Sequence, residues 1–511
     1  MKKPLWIGID IGTSGVRAVA YRPDGQSVSA ATLEYPLNSP QAGWAEQDPE
    51  TIVAGALNVL RELSCALTRN GCRPDGVAIS SAFHTFLAYD KEWRPITQLM
   101  TWADTRSQKA VKDLRQRLAD VFAVYKRTGC PVSPVYPMTK IAWMRRERPE
   151  MFARSARFGS IKDHIFRALT GEWVVDRSIA SGSGLYNLFT GEWDKELVAH
   201  LGVRAESLPP IVSTTYSAPL SAAIAANTGL PAGIPVVIGA GDGVLVNVGV
   251  GAVRPGQMSC TIGTSGAVRM LSNSPLTDEK GRTWCYNLTD TAWVLGGAIN
   301  NGGIALRWMR DRLNEIDPEA IRRAEMDDAY AFMTRNAATV PAGSDGLIML
   351  PFFTGERAPN WNADARGVLF GLTLRHTVSH MIRATLEGVC YRMNSAMLAL
   401  RDVAGPAQEI RVSGNFTRSE LWVQILADVF DHEIDAPNVD EGAAFGAAVL
   451  GFVSAGVLDD ISATAGFVSV KKTYCPRPAE VEVYKTLFGI YDRIYWNLRQ
   501  EFSDISAFQN G

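Results

Sequence analysis

One five-residue segment occurs twice in the chain, once near its start and once just past its middle. Residues 11–15 read Ile-Gly-Thr-Ser-Gly, and residues 262–266 repeat these letters without a change. Each copy follows an apolar run of strand length and precedes an alternating segment typical of a β-strand. This context indicates a duplicated domain in which each half carries the same strand–turn–strand unit. Two ordinary glycine turns would also explain the identity, and the spacing alone leaves both explanations open.

The length of 511 residues favours at least two domains, each with its own core. Glycines and prolines punctuate residues 229–235, just before an apolar segment at 236–240. We therefore predict an N-terminal domain of residues 1–246 and a C-terminal domain of residues 247–511. Helical patterns fill the rest of each half; one begins at Asp48-Pro49, and one follows Ser379. The predicted class is α/β, with a sheet flanked by helices in each domain.

Composition excludes several kinds of partner. The formal net charge is -2 and no dense run of Lys or Arg is present, so we expect no nucleic-acid partner. The 7 cysteines show no CxxC spacing and are odd in number, which predicts buried thiols in a reducing cytoplasm and no disulfide framework. No uncharged apolar stretch approaches the roughly 18 residues of a membrane span, so no membrane contact is expected. A small molecule therefore remains as the expected ligand. The composition does not decide whether the chain forms a homodimer.

The repeated turn is suited to hold phosphate groups. It offers consecutive backbone N–H groups, the hydroxyls of Thr13 and Ser14, and no bulky Cβ at Gly12. Neither copy continues as a Walker A loop, but two such turns could hold one triphosphate from opposite sides. Asp10, at the end of the first apolar run, is placed to hold hydrated Mg²⁺, and Arg17 is a candidate cation for the phosphates. A turn-initiating carboxylate is the alternative interpretation of Asp10.

Asp242 is the strongest candidate for a catalytic carboxylate. It follows the apolar segment 236–240 and has Gly241 before it and Gly243 after it. Small neighbours leave room for a substrate hydroxyl, and a general base in such a position typically contributes about 10²- to 10⁴-fold in rate. An aspartate that caps the next helix is the alternative.

Polar side chains that follow apolar segments elsewhere are candidates for binding a polyol. These substrate-site candidates are Phe83, His84, Trp102, Asp104, Arg106 and Asp163. A structural histidine and a surface salt bridge would explain some of them equally well.

Taken in order, these segments resemble the FGGY family of carbohydrate kinases, relatives of actin and of the heat-shock chaperone ATPases. Residues 367–387 are similar to the family's second signature at every constrained position. Residues 137–147 resemble the first signature, although Val135 departs from its opening position. The resemblance covers nearly the whole chain. It implies two actin-like, ribonuclease H-like ATPase domains with a cleft between them, and ATP-dependent phosphorylation of a sugar or sugar acid.

The resemblance also implies roles for individual residues. Asp242 is the implied catalytic base, and Asp10 and Asp242 are the implied magnesium ligands. The residues implied to contact ATP are Gly12, Thr13, Ser14, Arg17, Gly263, Thr264, Gly302, Arg307, Gly414, Asn415 and Ser419. Asn415 replaces a glycine of the family's adenosine motif, so its side chain could crowd or hydrogen-bond the nucleotide.

Four segments, 101–107, 125–129, 300–303 and 355–359, are similar to the family members that phosphorylate gluconate. D-gluconate, converted to 6-phosphogluconate, is therefore the leading substrate, with Arg106 or Lys162 as the cation for its carboxylate. Xylulose or another pentulose or polyol is the alternative, because residues 83–84 stand where pentulose kinases carry Met-His. A more remote alternative is an actin-like ATPase that acts on a protein partner. A sugar-responsive transcription regulator is nearly excluded, since no helix-turn-helix pattern or basic arm precedes residue 4.

Overall fold

The computed structural model describes residues 3–316, 329–438 and 442–509. The chain divides into two compact units, and neither is continuous in sequence. The first unit comprises Met1–Pro255, Leu271–Leu295 and Val439–Val468, and the second comprises Gly256–Met270, Gly296–Asn438 and Ser469–Gly511. The predicted division into 1–246 and 247–511 does not account for Leu271–Leu295 and Val439–Val468, which come later in the sequence but belong to the first unit. Glycine and proline residues mark where a segment ends, but they do not show which hydrophobic core a later segment joins.

Strands and helices alternate along the chain. The strands are β1 (Trp6–Ile11), β2 (Gly15–Tyr21), β3 (Ser27–Glu34), β4 (Glu46–Gln47), β5 (Gly76–Ser81), β6 (Leu87–Tyr89), β7 (Leu99–Met100), β8 (Arg157–Gly159), β9 (Val175–Asp176), β10 (Tyr186–Asn187), β11 (Glu192–Trp193), β12 (Ile211–Val212), β13 (Ser217–Pro219), β14 (Pro235–Gly241), β15 (Gln257–Ile262), β16 (Gly266–Ser272), β17 (Trp284–Asn287), β18 (Trp293–Ile299), β19 (Ile348–Leu350), β20 (Val368–Phe370), β21 (Glu409–Ser413), β22 (Ile434–Pro437) and β23 (Val470–Tyr474). The α-helices are α1 (Pro49–Arg69), α2 (Gln108–Arg117), α3 (Val121–Thr128), α4 (Pro137–Glu147), α5 (Pro149–Arg154), α6 (Ile161–Thr170), α7 (Arg177–Ser181), α8 (Lys195–His200), α9 (Ala222–Thr228), α10 (Asp242–Gly249), α11 (Gly303–Ile316), α12 (Ala329–Ala338), α13 (Val378–Ala404), α14 (Glu420–Phe430), α15 (Gly442–Ser454), α16 (Pro478–Asn497) and α17 (Arg499–Gln509).

The first unit is built on a six-stranded sheet with the order β13-β14-β5-β1-β2-β3. Strands β1 and β14 are both parallel to β5, whereas β1, β2 and β3 form an antiparallel meander. The three parallel strands are almost fully buried, as expected for strands covered on both faces. A turn joins β2 to β3, and Gly25 supplies its left-handed residue at φ 82°.

Helix α1 packs on this sheet and begins as predicted. The Asp48 carboxylate accepts hydrogen bonds from the backbone N–H groups of Glu50 and Thr51, and Pro49 occupies the first turn. Ile52, Leu60 and other residues of its apolar face lie in the main core cluster. In the described part of the chain this is the helix whose length and apolar composition would allow it to cross a membrane. Buried helices of globular proteins can be equally long and apolar, and packing in the core accounts for the apolar face of α1.

The second unit is centred on a seven-stranded sheet, in which strands of this unit follow the order β18-β16-β15-β21-β22-β23. Strands β15 and β16 are antiparallel, and β15 is parallel to β21, which repeats the relation of β1 to β2 and β5. The two copies of the five-residue segment therefore occupy equivalent hairpins. This equivalence confirms the predicted duplication of an α/β domain. Helix α13 begins at Val378 with Thr377 as its N-cap residue, so it contains the helical stripe predicted after Ser379.

The cysteines only partly follow the prediction of burial. Cys130, Cys260, Cys285 and Cys390 are buried, whereas Cys65 and Cys475 are exposed and Cys72 is half-buried. All seven are free thiols. Burial was wrong for three of them because composition does not show which face of a helix or loop a thiol occupies.

Candidate active site

The turn at residues 12–14, predicted to hold phosphate, leaves the sheet at the edge where its parallel strands end. Asp10, next to last in β1, lies opposite Ser80 of β5, and the Ser80 hydroxyl donates a hydrogen bond of 2.6 Å to its carboxylate. Burial raises the pKa of Asp10, and the Ser80 hydrogen bond partly offsets this effect. A buried carboxylate of this kind would be held in its ionised form by a bound cation. Within the turn, the Gly12 N–H donates to the Gly15 carbonyl at 2.9 Å.

Side chains from three other segments hold this loop. The Tyr35 hydroxyl donates to the Gly12 carbonyl at 2.6 Å, and the Gln47 amide donates to the Thr13 carbonyl at 2.9 Å. The Trp102 indole N–H donates to the Thr13 hydroxyl at 2.9 Å. A residue predicted to contact phosphate is thus joined directly to one predicted to contact substrate. Tyr35 and Gln47 had no sequence signal, since nothing in their neighbourhood resembles a binding motif.

Asp242 lies at the same edge of the sheet as this loop. In the strand register, Ser81 of β5 pairs with both Ile11 of β1 and Gly241 of β14, so all three strands end together. Asp242 follows Gly241 directly as the first residue of α10, and its carboxylate accepts the Gly243 N–H at 2.6 Å. The carboxylate is half-buried. The carboxylate therefore stands at the N-terminus of α10, beside the positive end of the helix dipole.

Aromatic rings and His84 form a cluster beside Gly241, the residue that precedes Asp242. Phe83 lies against Gly241, where a Cβ would come within 2.2 Å of the ring. His84 Nδ1 lies 2.7 Å from the Gly182 carbonyl, which can only accept, so Nδ1 carries the proton. Its Nε2 then accepts from the Tyr286 hydroxyl at 3.5 Å, and Tyr286 also pairs with the Tyr136 hydroxyl at 2.9 Å.

Neither tyrosine was among the predicted site residues. Tyr286 lies on β17 and is separated from His84 by 202 positions in the chain. No local pattern connects such distant residues. The aromatic ring of Tyr136 contacts the His84 ring at a centroid distance of 5.0 Å, so the two tyrosines and His84 form one cluster.

Asp104 and Arg106, predicted to bind substrate, are instead engaged with each other. The Arg106 guanidinium donates to both Asp104 oxygens and to Glu46 at 2.7 Å, and its side chain is 3% exposed. It also stacks over the Trp44 ring at 3.5 Å. Asp104 is fully buried and accepts the Ala45 N–H as well. The charges are neutralised internally, so this pair supports the segment that carries Trp102 and is not a free cation for a substrate carboxylate.

Asp163 and Lys162 also have structural partners. Asp163 completes a capping box at the start of α6 by accepting the Ser160 N–H, and burial raises its pKa to about 7. Lys162 forms an ion pair of 3.0 Å with Asp176, and both side chains are fully buried. Burial lowers the pKa of Lys162, whereas the nearby carboxylates of Asp176, Asp163 and Asp242 raise it. Both side chains of the 162–163 pair therefore already have charged or hydrogen-bonding partners within the protein.

The second copy of the turn, at residues 263–265, lies beside a cavity in the second unit. The Gly303 N–H donates to the Gly263 carbonyl at 2.6 Å, and the Gly302 N–H donates to the Thr264 carbonyl at 3.1 Å, which ties the loop to the start of α11. The adjoining cavity has a volume of about 400 Å³. Its lining includes five predicted residues, Gly263, Thr264, Arg307, Asn415 and Ser419, together with Tyr330, Phe416 and Trp422. This size and mixed lining suit a nucleoside.

Two predicted glycines shape this cavity without lining it. Gly414 has φ 97°, and a Cβ there would lie 2.6 Å from the Ile262 carbonyl oxygen. Gly302 packs equally closely on Ser265, where a Cβ would meet the carbonyl at 2.5 Å. Ser419 has a second role, because its hydroxyl caps α14 by accepting the Trp422 N–H at 3.3 Å. Asn415, which replaces a glycine of the adenosine motif that the sequence resembles, lines this cavity.

Both halves of the chain match models of one protein family. The N-terminal domain of the FGGY family of carbohydrate kinases matches residues 5–249, and its C-terminal domain matches residues 258–455. The gluconokinase of Bacillus subtilis (strain 168) is 39% identical over 507 residues, covering 99% of this chain and 98% of that protein. The xylulose kinase of the same organism is 26% identical, covering 98% of this chain and 99% of its own.

Solved structures give the same result. The crystal structure of gluconate kinase from Lactobacillus acidophilus has a TM-score of 0.91 and 30% identity, covering 99% of this chain and all (100%) of that one. The ligand-bound xylulose kinase from the same organism also has a TM-score of 0.91 and 30% identity, with coverage of 98% and 100%. The two-domain fold is therefore shared with both kinds of enzyme.

Proposed function

Since the chain belongs to the FGGY family of carbohydrate kinases, we propose that it phosphorylates D-gluconate on the 6-hydroxyl, with ATP as donor and 6-phosphogluconate as product. The observation that carries this proposal is the 39% identity to a gluconokinase along the whole chain, against 26% to the xylulose kinase of the same organism. The geometry of the first unit agrees with phosphoryl transfer, because a half-buried carboxylate and a phosphate-type loop share one sheet edge.

In the proposed reaction, Asp242 takes the proton of the substrate hydroxyl as the hydroxyl oxygen attacks the γ-phosphorus. The bond between that phosphorus and the β–γ bridging oxygen breaks, and ADP leaves with the electron pair. The turn at residues 12–14 is proposed to hold phosphate oxygens through its N–H groups and the Thr13 hydroxyl. Arg17 is proposed to add positive charge there. Gly263 and Thr264 are proposed to act in the same way in the second unit, beside a nucleoside in the 400 Å³ cavity.

Magnesium is proposed as the accompanying cation, held by Asp10 and Asp242. Among the described residues, no group of three or more His, Cys, Asp or Glu side chains is arranged to hold a metal alone. Mg²⁺ in phosphoryl transfer typically needs only one or two carboxylates, because phosphate oxygens and waters complete its shell. The buried Asp10 carboxylate fits that requirement, and the cation would neutralise charge on the phosphates.

The carboxylate of gluconate would not rely on Arg106 or Lys162. Both cations are buried in ion pairs with Asp104, Glu46 or Asp176. Neutral donors of the cluster around His84, including its tyrosine hydroxyls, are proposed to bind the substrate instead. Such a site could also take an uncharged ketose, and the equal likeness to a solved xylulose kinase keeps xylulose as the second candidate.

The proposal is tested by coupled ADP release over gluconate, xylulose, ribulose, glycerol and fuculose. We expect kcat/KM to be highest for gluconate by about tenfold or more, a difference of about 1.4 kcal/mol in transition-state binding. Gluconate turning over no faster than the other sugars would overturn the substrate assignment. Asp242→Asn should lower kcat by about 100-fold or more with little change in the KM for ATP. The exposed Asp24→Asn is the matched control, and an active Asp242→Asn variant would place the base elsewhere.

A further inference from the structure

We infer that Lys140 is a positioning residue of the sugar site, which fixes two substrate-facing segments through their main-chain carbonyls. This inference rests on the proposed function only in taking His84 and Trp102 as substrate-facing residues. Lys140 belongs to α4 and is fully buried, which is unusual for a lysine without a carboxylate in direct contact.

The amine of Lys140 joins two loops that are distant in sequence. Its Nζ donates to the His84 carbonyl at 2.8 Å and to the Thr101 carbonyl at 2.6 Å. His84 follows β5, whereas Thr101 directly precedes Trp102. The Lys140 amine thus holds these two carbonyl groups close together. The backbone that carries the His84 imidazole and the Trp102 indole is held with them.

The backbone of His84 needs such support. Its φ is 62°, in the left-handed region that non-glycine residues rarely adopt and that surrounding contacts must hold in place. This conformation directs the imidazole to the Gly182 carbonyl and to Tyr286. On the other side, Trp102 donates to the Thr13 hydroxyl of the phosphate loop. Lys140 therefore coordinates the position of the proposed sugar site with that of the first phosphate loop.

The positioning role does not require a full charge. Burial lowers the pKa of Lys140 to about 7, while Asp104 raises it and Arg106 lowers it further. A neutral amine retains two N–H donors, which equals the number of carbonyls it serves. Both hydrogen bonds therefore persist whether or not the third proton is bound.

The test is Lys140→Met, which keeps length and apolar volume but removes both donors. Kinetics would use whichever sugar of the panel the wild-type enzyme phosphorylates best, so that failure of the gluconate assignment leaves the test intact. We expect kcat/KM for the sugar to fall by about 10- to 100-fold, mainly through a higher sugar KM, while the KM for ATP stays within about threefold.

The matched control is Thr228→Val, in α9 of the same unit. Thr228 is fully buried and its hydroxyl donates to the Ile224 carbonyl at 2.8 Å, so its loss should lower the melting temperature without changing either KM. A Lys140→Met enzyme with lowered melting temperature but an unchanged sugar KM would overturn the inference and leave Lys140 a purely structural residue. Should Lys140→Met not fold, Lys140→Gln, which retains one donor group, decides by the same KM comparison. An inactive wild-type enzyme on every sugar would instead contradict the proposed function.

Discussion

Gly241→Ala tests whether close packing of Phe83 positions Asp242. A Cβ on residue 241 would lie 2.2 Å from Phe83 Cε2 and 2.3 Å from Cζ. Carbon atoms pack at about 3.5–4.0 Å, so the ring would have to move by more than about 1 Å. It cannot move away freely, because Gly182 adjoins the opposite edge of the ring; a Cβ on Gly182 would lie 2.5 Å from Phe83 Cδ1. Tyr286 packs on the same ring at a centroid distance of 5.0 Å.

Overpacking of this kind typically costs about 1–3 kcal/mol of stability. Displacement by about 1 Å next to Asp242, the proposed base, is expected to lower kcat/KM for the sugar by about 100-fold. Coupled ADP release and thermal unfolding measure the two effects. The control is Gly466→Ala, where a Cβ meets nothing within 4 Å, and its change should stay within about 0.5 kcal/mol. In a Phe83→Ala background the clash is absent, so Gly241→Ala should there cost less stability than it does in the wild type. Wild-type activity and stability in Gly241→Ala would refute the reasoning.

Two further predictions concern pH and nucleotide binding. Burial raises the pKa of Asp163 from 3.8 to about 7, so its contribution to stability is complete below about pH 4 and is lost as the pH rises through about 7. The melting temperature of the wild type relative to Asp163→Asn should therefore decline from pH 5 to pH 8; a constant difference would contradict the shifted pKa. Gly414→Ala should raise the KM for ATP by about tenfold, since its Cβ would lie 2.6 Å from the Ile262 carbonyl oxygen at φ 97°. Gly405→Ala, also at positive φ but with open space around it, should leave that KM unchanged, and equal values in both variants would exclude a steric role for Gly414.

Much of the fold followed from short-range patterns. The two equivalent hairpins, the turn at Gly25 and the start of α1 at Asp48 each depend on a few consecutive residues, and the structure contains all of them. Asp242 was likewise found from its position after an apolar run, which the structure places directly after β14. Patterns of this range were sufficient because local backbone preferences and caps act between near neighbours.

The sequence did not show which partners the candidate site residues have within the protein. Arg106 and Asp163 have the residue types of a sugar site, but the structure places them in a buried ion pair and in a helix cap. The type of a side chain limits which hydrogen bonds and ion pairs it can form. Its neighbours in the fold determine which of them it forms. Lys140 shows the converse: it lies in the segment that resembles the first signature, but the resemblance did not show that its amine would bond two loops.

By itself, the sequence determined the duplicated α/β architecture, the phosphate-type turns and the carboxylate at a strand end, because these depend on periodicity and on adjacent residues. Only the tertiary structure decided that Tyr286 reaches His84 across 202 positions, that Trp102 binds the Thr13 hydroxyl, and which charges are neutralised internally. Such contacts arise when separate segments pack on one sheet edge. Their free energy depends on distance and burial in space, which no pattern along the chain encodes.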